Sequence, residues 1–252
     1  MYLYDSKTSQ LLEQTLIKKN KIGFLLMMRA AHAILSIAKK KLKGRLWCVA
    51  GPGNNGGDAI GVATLALLEK IDVKCIKLSP LVKGDASISY AFSQNLNLQI
   101  QDNLPKISSL KQGDIIVDGI FGIGVSRPPE GIMLDAIEWI NTAHNNGINV
   151  ISIDVPSGLN ATNGQSFGCT VQADTTIMCL TAKQGCYTGQ SPDLTGELLF
   201  SDLGIKNSSD LIPGNSYLLD SDKLNLPRRS PIAHKGNYGN VLVLGGWGGM
   251  EG

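Results

Sequence analysis

The sequence predicts an α/β fold: a mainly parallel sheet covered on both faces by helices, with two helices ahead of its first strand. Three observations lead to this. Short unbroken apolar runs of strand length alternate along the chain with longer segments of helical period. Runs without polar interruption are the mark of strands buried on both faces, as in parallel sheets between helical layers. The composition agrees, because 43% of the 252 residues are apolar, only 17% are charged, and 29 glycines against 5 phenylalanines call for many tight turns.

Taken in order, residues 8–19 and 24–42 repeat apolar side chains at three- and four-residue steps and are read as helices, with Leu12 and Leu16 on the first and Leu25, Met28, Ile34, Leu35 and Ala38 on the second. After Gly44 the pattern shifts to Leu46-Trp47-Cys48-Val49-Ala50, a strand closed by glycine, and a helix follows from about Asp58 to Lys70. Strands are expected at 73–78, 114–117 and 148–153, with helices at 85–96 and 131–144 between them. Two further strands are expected at 174–180 and 197–200. Residues 207–229 are rich in Asn, Ser, Asp and Pro, as in Pro213-Gly214-Asn215-Ser216 and Pro227-Arg228-Arg229, and read as a linker. Beyond it, Val241-Leu242-Val243-Leu244 and the glycines that follow read as the first strand and turn of another domain.

Bulk properties remove several function classes. The 23 basic and 21 acidic side chains leave a net charge of +2, too balanced for a protein that binds nucleic acid by neutralising phosphates. The lysine clusters at 18–21 and 39–43 flank one helix and keep its ends solvated. Five cysteines form an odd set without a CxxC pair, as expected of small buried hydrophobes in a reducing, cytoplasmic compartment. His32, His144 and His234 lack zinc-ligand spacing. The apolar stretch 22–38 is bracketed by lysines, but it is short for a membrane span and contains Arg29 and His32. It also begins too late for a typical signal peptide, so no membrane association is expected.

Three loops hold the chemistry. Gly51-Pro52-Gly53-Asn54-Asn55-Gly56-Gly57-Asp58 fits GxGxxG between a strand and a helix, where glycines let a dinucleotide approach the backbone. Asp58 departs from that pattern, because an acid near the helix start would repel phosphate, and the next strand ends on Leu78-Ser79-Pro80 without a ribose-binding acid. A standard NAD oxidoreductase is disfavoured; the plainer alternative is that Asp58 caps the helix. The second loop runs from Asp118 through Gly119-Ile120-Phe121-Gly122-Ile123-Gly124-Val125-Ser126-Arg127-Pro128-Pro129, in which Arg127 either grips a phosphate or lies in solvent. The third, Asp154-Val155-Pro156-Ser157-Gly158, leaves a strand through proline. Each loop follows the carboxyl end of a parallel strand, so Asp58, Asp118 and Asp154 are expected to face one crevice at a topological switch point. Three carboxylates so placed repel unless they share a proton or a cation, and such oxygen ligands suit a hard cation.

At these residues the chain resembles the NAD(P)H-hydrate epimerase family, also called the YjeF N-terminal domain. The three signatures occur in order, and Leu25-Leu26-Met27-Met28-Arg29-Ala30-Ala31, Ala182-Lys183-Gln184-Gly185 and residues 196–205 are also similar. The likeness covers roughly residues 8–206. Met28 stands where the family commonly has an acid, and Ala59 where it often has glycine.

The resemblance implies a three-layer α/β/α Rossmann-like sandwich that interconverts the R and S forms of hydrated NADH or NADPH. It implies substrate contacts from Asn54, Asn55, Gly56, Gly57, Asp58, Gly122, Ile123, Gly124, Val125, Ser126, Arg127, Pro128 and Asp154, and one potassium ion per subunit on Asn55, Asp118 and Ser157. A homodimer is the implied assembly. The hydrated ring bears its hydroxyl on the carbon beside the ring nitrogen, so epimerisation needs proton transfers and no redox partner. Asp154 is the expected general acid/base, with Lys183 assisting. Residues 1–206 are expected to form the epimerase domain, 207–229 the linker, and 230–252 the truncated start of an ADP- or ATP-dependent dehydratase of ribokinase-like fold, from the match at His234-Lys235-Gly236. No dehydratase activity is expected of this chain. Two other readings are a crevice that binds a nucleotide or partner without catalysis, and the amino-terminal part of a bifunctional repair enzyme.

Overall fold

In a computed structural model the structure describes residues 1–80, 83–219, 231, 232, 236 and 242. The expected opening of another domain at 230–252 lies almost wholly outside them. The chain divides into a body, Met1–Leu218, and a separate stretch, Leu219–Gly252. The body runs β1 (Tyr2–Tyr4), α1 (Ser6–Asn20), α2 (Gly23–Lys41), β2 (Leu46–Ala50), α3 (Asn54–Leu68), β3 (Val73–Lys77), α4 (Gly84–Asn95), β4 (Ile100–Gln101), β5 (Ile115–Gly119), α5 (Ile132–Asn145), β6 (Asn149–Ile153), β7 (Thr175–Cys179), β8 (Ala182–Lys183), β9 (Glu197–Ser201) and β10 (Ser216–Tyr217). Among the described residues no helix is long and apolar enough to cross a membrane.

Seven strands form the main sheet in the order β4-β3-β2-β5-β6-β7-β9, and every pairing is parallel. The unbroken apolar runs have the expected cause. Along β2, Leu46, Cys48 and Ala50 join one hydrophobic cluster with Ile34, Leu35, Ile60 and Ala63 of α2 and α3. Trp47 and Val49 point the other way, into a second cluster with Ile137 and Ile140 of α5. The period of two thus serves two buried faces. Each fully buried Ile or Leu adds about 1.5–3 kcal/mol.

The layers are unequal: α5 with adjoining coil covers one face, while the other carries α2 and α3 with α1 packed beside them. Helix α1 begins at Asp5, whose carboxylate accepts the Thr8 amide at 2.7 Å, and ends where Lys21 turns to a left-handed φ of 54°.

Four short strands were not expected, since two or three residues offer no readable period. One of them, β1, precedes the two amino-terminal helices. It pairs parallel to β8, setting Tyr4 beside Lys183, and antiparallel to β10. Residues 207–218, read from composition as the start of a linker, belong to the body, where the Tyr4 hydroxyl also donates to the Ile212 carbonyl at 3.1 Å. Helix α3 begins at Asn54, four residues before the expected Asp58. The Gly56-Gly57 pair reads as a turn but is the helix's first turn, kept small by packing. A Cβ on Gly56 would stand 2.0 Å from the Gly51 carbonyl oxygen, and one on Gly57 2.7 Å from Met27 Cε.

Candidate active site

Strand order reverses between β2 and β5, and a crevice of about 790 Å³ opens beyond their carboxyl ends. Its size is within the range of small-molecule sites. All three signature loops reach it, but with different parts.

The first wall is the start of α3. Its N-cap is Gly53, which offers no side-chain cap, and the amides of Asn54, Asn55 and Gly56 donate to no described residue. A Cβ on Gly53 would meet nothing within 4 Å, so the backbone is open to a ligand here. Asn54, Asn55 and Asp58 line the crevice; Gly56 and Gly57 pack behind it. Asp58 lies a full turn inside α3, which removes the capping explanation. Its carboxyl has no hydrogen-bond partner among the described residues, and burial, followed by the charges of Glu13 and Asp154, pushes its pKa well above the usual range.

The second loop separates Asp118 from the crevice, contrary to expectation. Asp118 is fully buried and accepts hydrogen bonds from Ser152 Oγ (2.9 Å), Ser157 N (2.9 Å), Ser157 Oγ (2.5 Å) and Ile120 N (3.2 Å). Burial raises its pKa and these bonds oppose the rise. Its strand, β5, runs between two covered faces, so the carboxylate at its end points into the protein. The geometry nevertheless gathers the expected cation ligands, because Asn55 Nδ2 donates to the Phe121 carbonyl at 2.8 Å and the Phe121 amide donates to Ser157 Oγ at 2.9 Å. Beyond Phe121 the loop turns outward. From Gly122 to Arg127 no amide has a described partner of ordinary hydrogen-bond geometry, residues 122–128 line the crevice, and the exposed Arg127 has neither ion pair nor hydrogen bond among the described residues.

The third loop places Asp154 at a left-handed φ of 67°, unusual for a residue with a side chain. The conformation is held from several sides. Its amide donates to Ile177 at 2.9 Å, its carboxylate accepts the Cys179 amide at 2.9 Å, and Lys183 Nζ closes an ion pair with it. Lys183 is 2% exposed and also donates to the Cys179 carbonyl at 2.7 Å. The pair has a buried base yet borders the crevice.

The remaining wall is built from residues outside the expected site set. Glu13, Gln14 and Ile17 of α1, and Leu26, Met27 and Ala30 of α2, complete the crevice, and Asp85 reaches it from α4. An acid on a polar helical segment has the signature of a solvated face, and only the docking of α1 beside α3 reveals otherwise.

A family model described as YjeF-related protein N-terminus matches residues 24–185. The chain belongs to this family. The NAD(P)H-hydrate epimerase of Oenococcus oeni is 32% identical over 194 residues, covering 74% of this chain and 90% of that protein. The bifunctional NAD(P)H-hydrate repair enzyme Nnr of Dictyoglomus turgidum is 33% identical over 258 residues, covering 98% of this chain but 49% of that enzyme. The YjeF-related chain thus spans about half the length of the bifunctional relatives. The crystal structure of a yeast protein, YNL200c, superposes with a TM-score of 0.64 over 75% of this chain and 85% of that one at 20% identity, and so shares the fold.

Chemically, the YjeF-related crevice combines two kinds of group. Unconsumed amides of two loops and the Arg127 guanidinium offer hydrogen bonds and positive charge to an anion such as phosphate. Asp154, Lys183, Asp58 and Glu13 are ionisable groups in the same space, able to exchange protons with a bound molecule.

Proposed function

We propose that the chain is a NAD(P)H-hydrate epimerase, interconverting the R and S forms of hydrated NADH and NADPH. The observation that carries the reading is the Asp154–Lys183 pair, set in a strained backbone at the edge of a crevice that also holds Arg127 and the free amides of two loops. Phosphates bound by Arg127 and the amides anchor the dinucleotide, leaving the hydrated ring to the ionisable groups. The carbon bearing the hydroxyl is a hemiaminal centre. Asp154, held by Lys183 at the end of the sheet, exchanges a proton with the departing hydroxyl or with the returning water.

A potassium ion fits Asn55, Asp118 and Ser157. Asp118 is a fully buried carboxylate that no Lys or Arg pairs with among the described residues, and the Ser157 hydroxyl and Phe121 carbonyl gather beside it as oxygen donors. When bound, such an ion would supply positive charge to the three loops that carry Asn55, Asp118 and Ser157. The same reading takes the protein as a cytoplasmic homodimer, and residues 230–252 as the opening of a dehydratase domain behind the epimerase domain.

The test is to follow epimer exchange by chromatography beside a nucleotide-binding assay. Exchange accelerated by the protein supports an enzyme. Binding without exchange assigns the crevice to a non-catalytic module.

A further inference from the structure

We propose that Glu13 is a second proton-transferring residue of the crevice, working from the wall formed by α1 while Asp154 works from the end of the sheet. This rests on the epimerase reading. Helix α1 precedes residues 24–185, the span the family model matches, and none of the three signature loops includes it. It still forms part of the site, with Gln10, Glu13, Gln14 and Ile17 lining the crevice.

The surroundings of Glu13 favour chemistry over structure. Its one hydrogen bond is a long 3.5 Å contact from Asn54 Nδ2, and it makes no ion pair among the described residues. It caps no helix, and the lysine whose charge it feels, Lys183, is already paired with Asp154. Burial and then the nearby Asp154 charge raise its pKa above the usual carboxylate value, with the Lys183 charge opposing the rise.

The reaction supplies the reason for two groups. Inverting one carbon requires the hydroxyl to leave one face of the ring and water to arrive on the other. In the first step an acid protonates the hydroxyl, the C–O bond breaks with its electron pair going to the departing water, and the ring nitrogen lone pair fills the vacancy at carbon. In the second step water adds to the opposite face, electrons return to nitrogen, and a base removes one proton from the added water. One proton is given and one is taken, on opposite faces, with no net oxidation. A lone carboxyl on one wall serves one face; Glu13 and Asp154 on separate walls serve both, exchanging roles for R-to-S and S-to-R.

Glu13→Gln keeps the size and the acceptor for Asn54, so the fold is retained and the melting temperature should match wild type. Its expected effect is a loss in exchange kcat of about 10²-fold with KM within about threefold, and disappearance of one limb of the pH–rate profile. Glu13→Asp should recover part of the rate. Asp58→Asn is measured in parallel, because Asp58 also faces the crevice without a partner. Exchange by Glu13→Gln within about twofold of wild type, or loss with Asp58→Asn and none with Glu13→Gln, overturns the proposal alone. A wild-type protein without exchange overturns the epimerase reading and this inference with it.

Discussion

Lys183 Nζ donates to both the Asp154 carboxylate and the Cys179 carbonyl, tying the short strand β8 to the residue that follows β6. Removing the lysine leaves a mostly buried carboxylate, 15% exposed, and a carbonyl without their partner. Breaking such a pair from one side costs about 3–5 kcal/mol. Lys183→Met is expected to lower stability by about 3 kcal/mol in urea unfolding and exchange activity on the order of 10²-fold.

Asp154→Asn separates charge from backbone. Asparagine tolerates the left-handed conformation and can still accept the Cys179 amide, so the fold should persist. Proton transfer is lost, and kcat should fall by about 10²–10⁴-fold with little change in KM.

Arg127 is exposed and has no structural partner among the described residues, so its removal tests binding alone. Arg127→Ala should leave stability within about 0.5 kcal/mol. A charge-assisted contact to phosphate is worth about 1.5–3 kcal/mol, so KM should rise by roughly 10- to 100-fold while kcat changes little.

The glycines of the first loop divide by what lies beside them. A Cβ on Gly51 would stand 1.9 Å from the Ile120 carbonyl oxygen, and Gly51→Ala should destabilise by about 1–3 kcal/mol or more. Gly53 has open space and an extended N-cap conformation, so Gly53→Ser should fold as well as wild type or gain a few tenths of a kcal/mol. Its hydroxyl would occupy a helix amide meant for ligand, and KM should rise. Thermal melts and kinetics on the two variants check both halves.

Asp58 makes a prediction about pH. Its pKa is higher in the folded chain, through burial and then the charges of Glu13 and Asp154. Such a carboxyl contributes stability that is complete below its unfolded pKa and is lost as the pH rises through the folded value, because the unfolded chain releases the proton first. Asp58→Asn removes that loss. Melting temperatures should be higher than wild type at about pH 8 and converge below about pH 4. A variant less stable than wild type at the higher pH would contradict the assignment.

The sheet and its helices were legible because each long element has a period: continuous apolar runs such as 148–153 and helical repeats such as Ile34, Leu35 and Ala38. Signals without a period were not. Strand β8 has two residues, and its place beside β1 depends on contacts across 179 positions of sequence, from Leu3 to Ala182. Gly56-Gly57 looked like a turn because close packing, the reason for the glycines, is invisible in sequence. Asp118 looked like a crevice residue because the end of a strand was known but not the direction of its side chain. Glu13 was hidden for the opposite reason, since its helix looked solvated and proved to be a wall.

The most direct test starts from a single epimer of hydrated NADH and follows the appearance of the other with wild type and Asp154→Asn at equal concentration, in buffer containing potassium. Rapid approach to the epimer equilibrium is expected with wild type, and a rate near the buffer blank with Asp154→Asn. Wild type at the blank rate, or equal rates for the two proteins, would contradict this expectation.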